Sequence, residues 1–254
     1  MDSEPPSRRD ASERKRMTPT SPEDQHAAFG AVETVPMSGF QKVVARRLTQ
    51  SWTQIPHVTH HDDIDVTALD AHRKALGPDV RISPLIFLAK ALARALAAFP
   101  NFNASLSDDG KTLVLKRYFH IGIAVDGPLG LLVPVLRDVD SKDVATLAAE
   151  LAALSAQARD KGLPMTAMSG GCMTITSLGG IGGTGFTPII NQPEVAILAV
   201  TPSRMQPVWD GTAFQPRLMM PLSLSYDHRV INGADAARFV RAIGQSLAEP
   251  EALT

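Results

Sequence analysis

A histidine stands at an abrupt change of pattern in the stretch "SYDHRVINGADAARF", residues 225–239. Upstream, over 219–226, apolar residues alternate with serines, as in a strand that buries one face. Downstream, apolar residues recur at helical spacing, and Asn232 is predicted to cap that helix. His228 therefore lies on a short connector between two anchored elements, where a side chain is both held and reachable. Because an imidazole titrates near neutral pH, His228 is a candidate general base; a surface or core histidine is the competing interpretation.

Two hydroxyl side chains end another strand-like segment, in "TITSLGGIGGTGFTPIINQPEVAIL", residues 174–198. Thr176 and Ser177 stand where β-branched residues give way to glycines. Hydroxyls at a strand end can donate a hydrogen bond to a developing oxyanion. Alternatively, they bond the local backbone at the turn, and spacing alone leaves both interpretations open.

The glycines that follow contain a GxGxxG pattern, formed by Gly180, Gly182 and Gly185. In a dinucleotide-binding unit this pattern leads into a helix N-terminus. Here prolines at 188 and 193 predict extended chain instead, so nucleotide binding of that type is not expected. Close approach by neighbouring backbone or by a ligand is the better reason for these glycines.

Histidines and aspartates cluster in "HVTHHDD", residues 57–63. On a strand, His60 and Asp62 share one face while His61 and Asp63 share the other, so neither face gathers three good ligands. We therefore favour a polar strand with one solvated or subunit-facing side, and we predict no metal site.

The elements that must position these residues alternate in type. Strand-like runs, including an extended segment over 55–69, are separated by helical patterns. The helices are predicted over 37–52, 83–99, 141–159 (capped by Ser141) and 233–249. This mixture predicts an α/β fold, a two-layer sandwich in which helices cover one face of a mixed sheet.

Composition restricts the class of protein. The 254 residues carry a net charge of −1 and are 44% hydrophobic, which allows a sizeable core and provides no basic field for nucleic acid or a membrane surface. Residues 1–34 mix charges with proline and serine and predict a disordered tail or linker, leaving 35–254 as the folded domain. Cys172 is the single cysteine, and no apolar leader or membrane span is evident, so we expect a cytoplasmic protein.

Several stretches together resemble a known family. They are "IPHVTHHDDIDVTAL", "FNASL", "YFHIGIAVDGPLGLLVPVLRDVD", "GGCMTITSLGGIGGTGFTPIINQPEVAILAV" and "PLSLSYDHRVINGADAARF". In this order, between Val35 and Glu249, they are similar to the catalytic domain of the dihydrolipoamide acyltransferases of 2-oxoacid dehydrogenase complexes. The DHRxxxG signature of that family falls on His228. The segments "GFTPIINQPEVAIL" and "MQPVWDG" are most similar to the acetyl-transferring, pyruvate dehydrogenase type.

The resemblance implies a chloramphenicol-acetyltransferase-like fold that forms a homotrimer with its active sites between subunits. Coenzyme A is then a substrate, a lipoyl carrier domain brings the acyl group, and decarboxylase and dihydrolipoamide dehydrogenase components are partners. His228 would be the general base that deprotonates the coenzyme A thiol, and Thr176 would bond the oxyanion. Asn232 would hold the histidine connector. The residues that contact coenzyme A stay unassigned.

Three features depart from the family pattern. Many members carry aspartate at the position of Asn232, paired with an arginine, so Arg46 or Arg47 is expected to bond the asparagine as a neutral acceptor. Residues 1–34 are too few for a lipoyl domain, so either the lipoyl group is expected in trans or the chain is a fragment of a longer protein. The final "EPEALT" is less apolar than the leucine-rich tail that joins trimers into a larger core, and Leu253 alone is a weak basis for one.

Two other functions stay open at this point. The chain could be a noncatalytic assembly subunit of such a complex, although a scaffold needs neither His228 nor Thr176. It could also be a stand-alone acetyl-coenzyme A-dependent transferase with another acceptor.

Overall fold

The computed structural model describes residues 22–27, 29–77, 82–128 and 130–254. The chain divides into two compact units, Met1–Gly39 and Phe40–Thr254. In the first unit, much of the predicted tail lies outside the described residues, but Pro22–Ala27 form a short helix, α1, which the sequence did not predict. Residues 31–38 have no regular secondary structure.

The second unit is built on a seven-stranded mixed sheet. Its strands are β1 (His57–Asp65), β4 (Ile121–Ile123), β5 (Val135–Leu136), β6 (Met173–Ser177), β7 (Ala196–Val200), β8 (Arg204–Trp209) and β9 (Phe214–Asp227). The spatial order is β1-β9-β7-β6-β4-β5, and β8 pairs with the first half of β9. Strands β4, β6 and β7 are parallel, whereas β9 is antiparallel to all three strands that it pairs with, β1, β7 and β8. A separate hairpin pairs β2 (Ala104–Leu106) with β3 (Leu113–Leu115).

Helices cover one face of this sheet. The helices on this face are α3 (Thr67–Ala75), α4 (Pro84–Ala98), α5 (Val144–Asp160) and α6 (Gly233–Ala248), with short 3-10 turns at Pro100–Phe102, Met165–Ala167 and Pro250–Leu253. Helix α2 (Gly39–Gln54) is mostly exposed, and its buried Ser51 donates to the Ile190 carbonyl oxygen at 2.6 Å. The apolar side of β9, with Leu222 and Leu224, belongs to the same core cluster as the buried faces of α4 and α6. The rings of Phe102 and Phe239 stack there at 4.0 Å. Leu253, the last apolar residue of the chain, is also buried in this core.

The opposite face of the sheet is lined by small and polar side chains. On β9 and β1, the hydroxyls of Ser225 and Thr59 lie 2.8 Å apart, and Ser223 Oγ lies 2.8 Å from His61 Nδ1. The segment of residues 178–195 runs over this face. A Cβ at Gly185 would stand 3.5 Å from Ser223 Oγ, an ordinary van der Waals distance, so the segment packs against this face at Gly185 without requiring a glycine there.

The predicted α/β sandwich is confirmed, with helices on one face of a mixed sheet. Two local predictions are wrong. The extended segment ends at Asp65, and helix α3 begins at Thr67, whose N–H donates to Asp65 Oδ1 at 2.9 Å. Helix α5 is capped by Asp143, which accepts from the Thr146 N–H at 2.7 Å, and not by Ser141.

The helices of the structure bear on two classes of protein, membrane-spanning proteins and dinucleotide-binding proteins. Within the described ranges, no helix has both the length and the hydrophobicity needed to cross a membrane. No helix follows the glycines at 179–185, where the chain continues irregularly to the start of β7. The GxGxxG pattern therefore lacks the helix that a dinucleotide-binding turn requires.

Candidate active site

His228 lies on the turn that joins β9 to α6. The strand ends at Asp227, which pairs with His57 of β1, and the His228 N–H donates to the Pro56 carbonyl oxygen at 3.1 Å. The side chain itself is exposed to solvent. The backbone on both sides of the histidine is therefore fixed, while the imidazole stays accessible to a substrate.

The residues that flank His228 hold this turn. The Asp227 carboxylate is buried and accepts from the Arg229 guanidinium, with Nη2 2.6 Å from Oδ2 and Nε 2.9 Å from Oδ1. It also accepts from the Arg229 N–H at 3.0 Å, and the Asp227 carbonyl oxygen accepts from the N–H groups of Val230 and Ile231. The bond to the carboxylate raises the pKa of Arg229. Sequence reasoning missed this pair, although opposite charges two positions apart around a histidine were a usable signal.

Asn232 closes the connector on the helix side. Its Oδ1 accepts from the Asp235 N–H at 2.9 Å, which confirms it as the N-cap of α6, and its Nδ2 donates to Asp235 Oδ2 at 2.7 Å. The expected bond from Arg46 or Arg47 is not found among the described residues. The Arg47 guanidinium donates instead to the Gln192 carbonyl oxygen, at 3.4 Å.

The structure distinguishes the two candidate hydroxyls of β6. Ser177 Oγ accepts from the Gly179 N–H at 3.2 Å, which is the local turn role considered for it. The Thr176 side chain is half-buried, and no hydrogen bond of its hydroxyl is found within the described part of the chain. Thr176 differs from Ser177 in having no acceptor contact with the turn, but neither hydroxyl donates a hydrogen bond within the described residues.

Thr176 and His228 of one chain lie far apart. In sheet register, Thr176 pairs with Ala199, which pairs with Ser223, four residues before the end of β9. Strand geometry then separates Thr176 from Asp227 by about 13 Å along β9 and about 10 Å across two strand spacings, or roughly 16 Å in all. Groups that act on one reacting centre stand about 3 Å from it, so a single chain does not bring these two side chains together.

His57 joins the connector to the segment that covers the polar face. Its Nε2 accepts from the Ile190 N–H at 3.1 Å, so Nδ1 carries the proton that is donated to the Ile55 carbonyl oxygen at 2.9 Å. Both ring nitrogens are used, and His57 has a structural role beside the candidate base.

The aspartates of β1 bond to basic or amide side chains, whereas the buried Nε2 of His60 has no hydrogen-bond partner within the described residues. Asp62 lies 2.9 Å from Arg241 Nε, and Asp63 accepts from Gln206 at 3.0 Å. Over the described residues, no group of three or more histidine, cysteine, aspartate or glutamate side chains is arranged to hold a metal ion.

Comparison with known proteins identifies the family of this chain and the class of its fold. Residues 29–254 match the family model of the 2-oxoacid dehydrogenases acyltransferase (catalytic domain), and the chain belongs to that family. It is 15% identical to a chloramphenicol acetyltransferase, with a TM-score of 0.57 over 85% of this chain and 99% of that one. This likeness confirms the predicted chloramphenicol-acetyltransferase-like fold.

Within the family, the similarity is high to acetyltransferase components of pyruvate dehydrogenase complexes. The chain is 55% identical to that component of Pseudomonas aeruginosa, over 91% of this chain and 43% of that protein, and 54% identical to that of Azotobacter vinelandii, over 89% and 36%. It therefore spans less than half the length of these relatives.

Two solved structures match nearly the whole fold. One is the dihydrolipoamide acetyltransferase of Azotobacter vinelandii, studied for the role of a serine, a histidine and an asparagine in its catalytic mechanism. It is 52% identical, with a TM-score of 0.87, and the match covers 93% of this chain and 99% of that one. The other is the cubic core of a pyruvate dehydrogenase multienzyme complex, 52% identical with a TM-score of 0.88 and the same coverage.

Proposed function

We propose that this chain transfers an acetyl group between dihydrolipoyl-lysine and coenzyme A, as the catalytic domain of an acetyltransferase of a pyruvate dehydrogenase complex. The observation that carries the proposal is the exposed imidazole of His228 on a turn that is fixed from both sides. In this proposal His228 is the general base, Thr176 stabilises the oxyanion and Asn232 holds the connector. Residues 35–254 form the catalytic domain, and residues 1–34 are a linker.

The reaction is a direct acyl transfer between two thiols. Neutral His228 removes the proton of the coenzyme A thiol, because the thiolate is the nucleophile and a free thiol is mostly protonated at neutral pH. The sulfur attacks the thioester carbonyl carbon, and the carbonyl oxygen becomes an oxyanion that accepts a hydrogen bond from Thr176. The C–S bond to the dihydrolipoyl group then breaks, and the protonated imidazole returns the proton to the departing sulfur.

The choice of residues is supported by a relative. The serine, histidine and asparagine studied in the Azotobacter vinelandii enzyme have the same spacing as Thr176, His228 and Asn232. That enzyme also has asparagine at the last of these positions, so Asn232 is compatible with acetyl transfer. A threonine in place of serine keeps the hydroxyl that the oxyanion needs.

We further propose that each active site is shared between subunits of a homotrimer. The separation of roughly 16 Å within one chain, estimated from strand geometry, requires His228 of one subunit to meet Thr176 of another. The likeness to a cubic core supports trimers, either alone or as units of a larger core. In this proposal a lipoyl carrier domain delivers the acetyl group, and the decarboxylase and dihydrolipoamide dehydrogenase components are the partners in the cytoplasm.

The proposal is tested by turnover with acetyl-coenzyme A and free dihydrolipoamide. The wild-type chain should form acetyl-dihydrolipoamide, and His228→Ala should abolish turnover without loss of fold, because no other described side chain occupies the position of the base. His26→Ala, which changes an exposed histidine of α1, is the control and should leave turnover unchanged. Failure of the wild-type chain to turn over at any pH would favour the noncatalytic assembly role.

A further inference from the structure

Glu194 is a buried carboxyl group that the proposed chemistry does not use. It lies just before β7 and is 5% exposed. Oε1 accepts from Thr174 Oγ1 at 2.8 Å and from Asn191 Nδ2 at 3.4 Å. Oε2 is buried and has no hydrogen-bond partner within the described residues. A carboxylate with so few donors is poorly solvated, so the neutral acid fits this position better than the anion.

The charged and titratable groups around Glu194 do not neutralise it by contact. Lys116 is the nearby cation, but its Nζ donates to the carbonyl oxygens of Ala104 and Gly171, at 3.3 and 3.4 Å. The Cys172 thiol donates to the Tyr118 carbonyl oxygen, and burial raises its pKa, which keeps it neutral. Burial is also the main reason that the pKa of Glu194 rises from 4.5 to about 7.

The contacts of Glu194 connect the two halves of the proposed chemistry. Thr174 lies two residues before Thr176, on the same face of β6. On the other side, the carbonyl oxygen of Val195 accepts from the Asp227 N–H at 2.8 Å, immediately before His228. Glu194 is therefore joined to the strand that carries the hydroxyl by its side chain, and to the turn that carries His228 through the backbone of the next residue.

The backbone packs tightly around the contact between Glu194 and Thr174. A Cβ at Gly171 would stand 3.0 Å from Glu194 Oε1, and a Cβ at Gly122 would stand 2.8 Å from Thr174 Oγ1. The absence of a side chain at Gly122 of β4 and at Gly171, just before β6, allows the backbone at both positions to approach the pair closely. A change in the Glu194–Thr174 bond is thus transmitted to the backbone, since the surrounding packing leaves little room for the side chains to adjust alone.

We propose that Glu194 is a positioning residue for acetyl transfer, and that its neutral form, bonded to Thr174, aligns the Thr176 strand with the His228 turn. The inference rests on the roles proposed for Thr176 and His228. Ionisation of Glu194 places an unpaired charge in this contact and misaligns both groups. In the trimer, each chain supplies the two groups to different active sites, so one carboxyl group affects two sites.

Because the pKa of Glu194 is higher in the folded protein than in the unfolded chain, this group stabilises the fold at low pH and not at high pH. The folded protein keeps a proton on Glu194 that the unfolded chain releases above about pH 4.5. The stabilising contribution is therefore fully present below pH 4.5, and it is lost as the pH rises through about 7. Glu194→Gln mimics the neutral acid in shape and should remove this loss.

The experiment compares wild type with Glu194→Gln from pH 5 to 9, in thermal unfolding and in kcat with acetyl-coenzyme A and dihydrolipoamide. The difference in melting temperature, variant minus wild type, should increase by about 5 °C between pH 5 and pH 8. Its kcat relative to wild type should increase about tenfold between pH 6 and pH 9, with KM little changed, because misalignment affects the transition state most. Glu249→Gln, the same change at an exposed position, should alter neither ratio.

Thr174→Val completes the experiment as a double-mutant cycle. It removes the donor to Oε1, so kcat should fall at all pH values, and Glu194→Gln should no longer change the pH profile in this background. An unchanged kcat profile in Glu194→Gln, with turnover still dependent on His228, would overturn the positioning role and leave the proposed function intact. No turnover in wild type would instead overturn the proposed function and this inference with it.

Discussion

Thr176 and Ser177 are neighbours of the same chemical type with different surroundings. The hydroxyl of Ser177 is engaged with the Gly179 N–H, whereas Thr176 has no such partner within the described residues. The sequence favoured Thr176 only through a family resemblance, since hydroxyl position depends on the turn that follows the strand. The structure adds that Ser177 Oγ has an accepting role in the turn, whereas Thr176 has none there.

Substitution at these two positions should separate catalysis from structure. Thr176→Ala removes the donor to the oxyanion and should lower kcat by about 10² to 10³, a loss of roughly 3 kcal/mol, with little change in melting temperature. Thr176→Ser should restore most of the turnover because it restores the hydroxyl. Ser177→Ala, the matched control, should leave kcat within a small factor of wild type. Equal losses at both positions would remove Thr176 from its proposed role.

At the level of elements, the β9–turn–α6 unit determines where His228 stands. The Asp227–Arg229 pair holds the strand end, and Asn232 holds the helix start through two bonds to Asp235. All of these contacts are local in sequence. They explain how the backbone at His228 is held on a connector while its imidazole stays exposed.

Asn232 offers a prediction about the stability of this unit. Asn232→Ala should lower the free energy of unfolding by about 1 kcal/mol through loss of the cap. Asn232→Asp keeps a capping oxygen but replaces the amide donor, so two carboxylates would meet at the 2.7 Å contact with Asp235. The loss in this variant should be smaller, and Asp235→Asn should reverse it. Chemical denaturation at one fixed protein concentration measures all three; additive losses would exclude the Asn232–Asp235 contact as the cause.

The elements differ in how far their sequence predicts them. Helix α6, its Asn232 cap and the alternation along β9 were predicted because each signal lies within one element. Helix α3 was missed because β-branched residues favoured a strand, while the bond between Thr67 and Asp65 favours a helix start. Glu194 was not predicted, since its partner Thr174 lies on another strand and only sheet register brings the two together.

For the whole molecule, the decisive feature is the distance between the two proposed catalytic groups. In one chain, His228 follows the end of β9. Thr176 lies two strands away, at the level of Ser223, four residues before that end. No side-chain motion closes a gap of roughly 16 Å, estimated from strand geometry. An active site that contains both must therefore include two copies of the chain, arranged so that each copy presents a different surface to each neighbour.

Subunit mixing tests this claim most directly. His228→Ala and Thr176→Ala, each inactive or nearly so alone, are unfolded together in equal amounts, refolded and assayed with acetyl-coenzyme A and dihydrolipoamide. If each site takes its base from one subunit and its hydroxyl from the next, random assembly regenerates about one site in four, and turnover should recover to about a quarter of refolded wild type. Turnover no higher than the average of the two variants refolded separately would contradict a site shared between subunits.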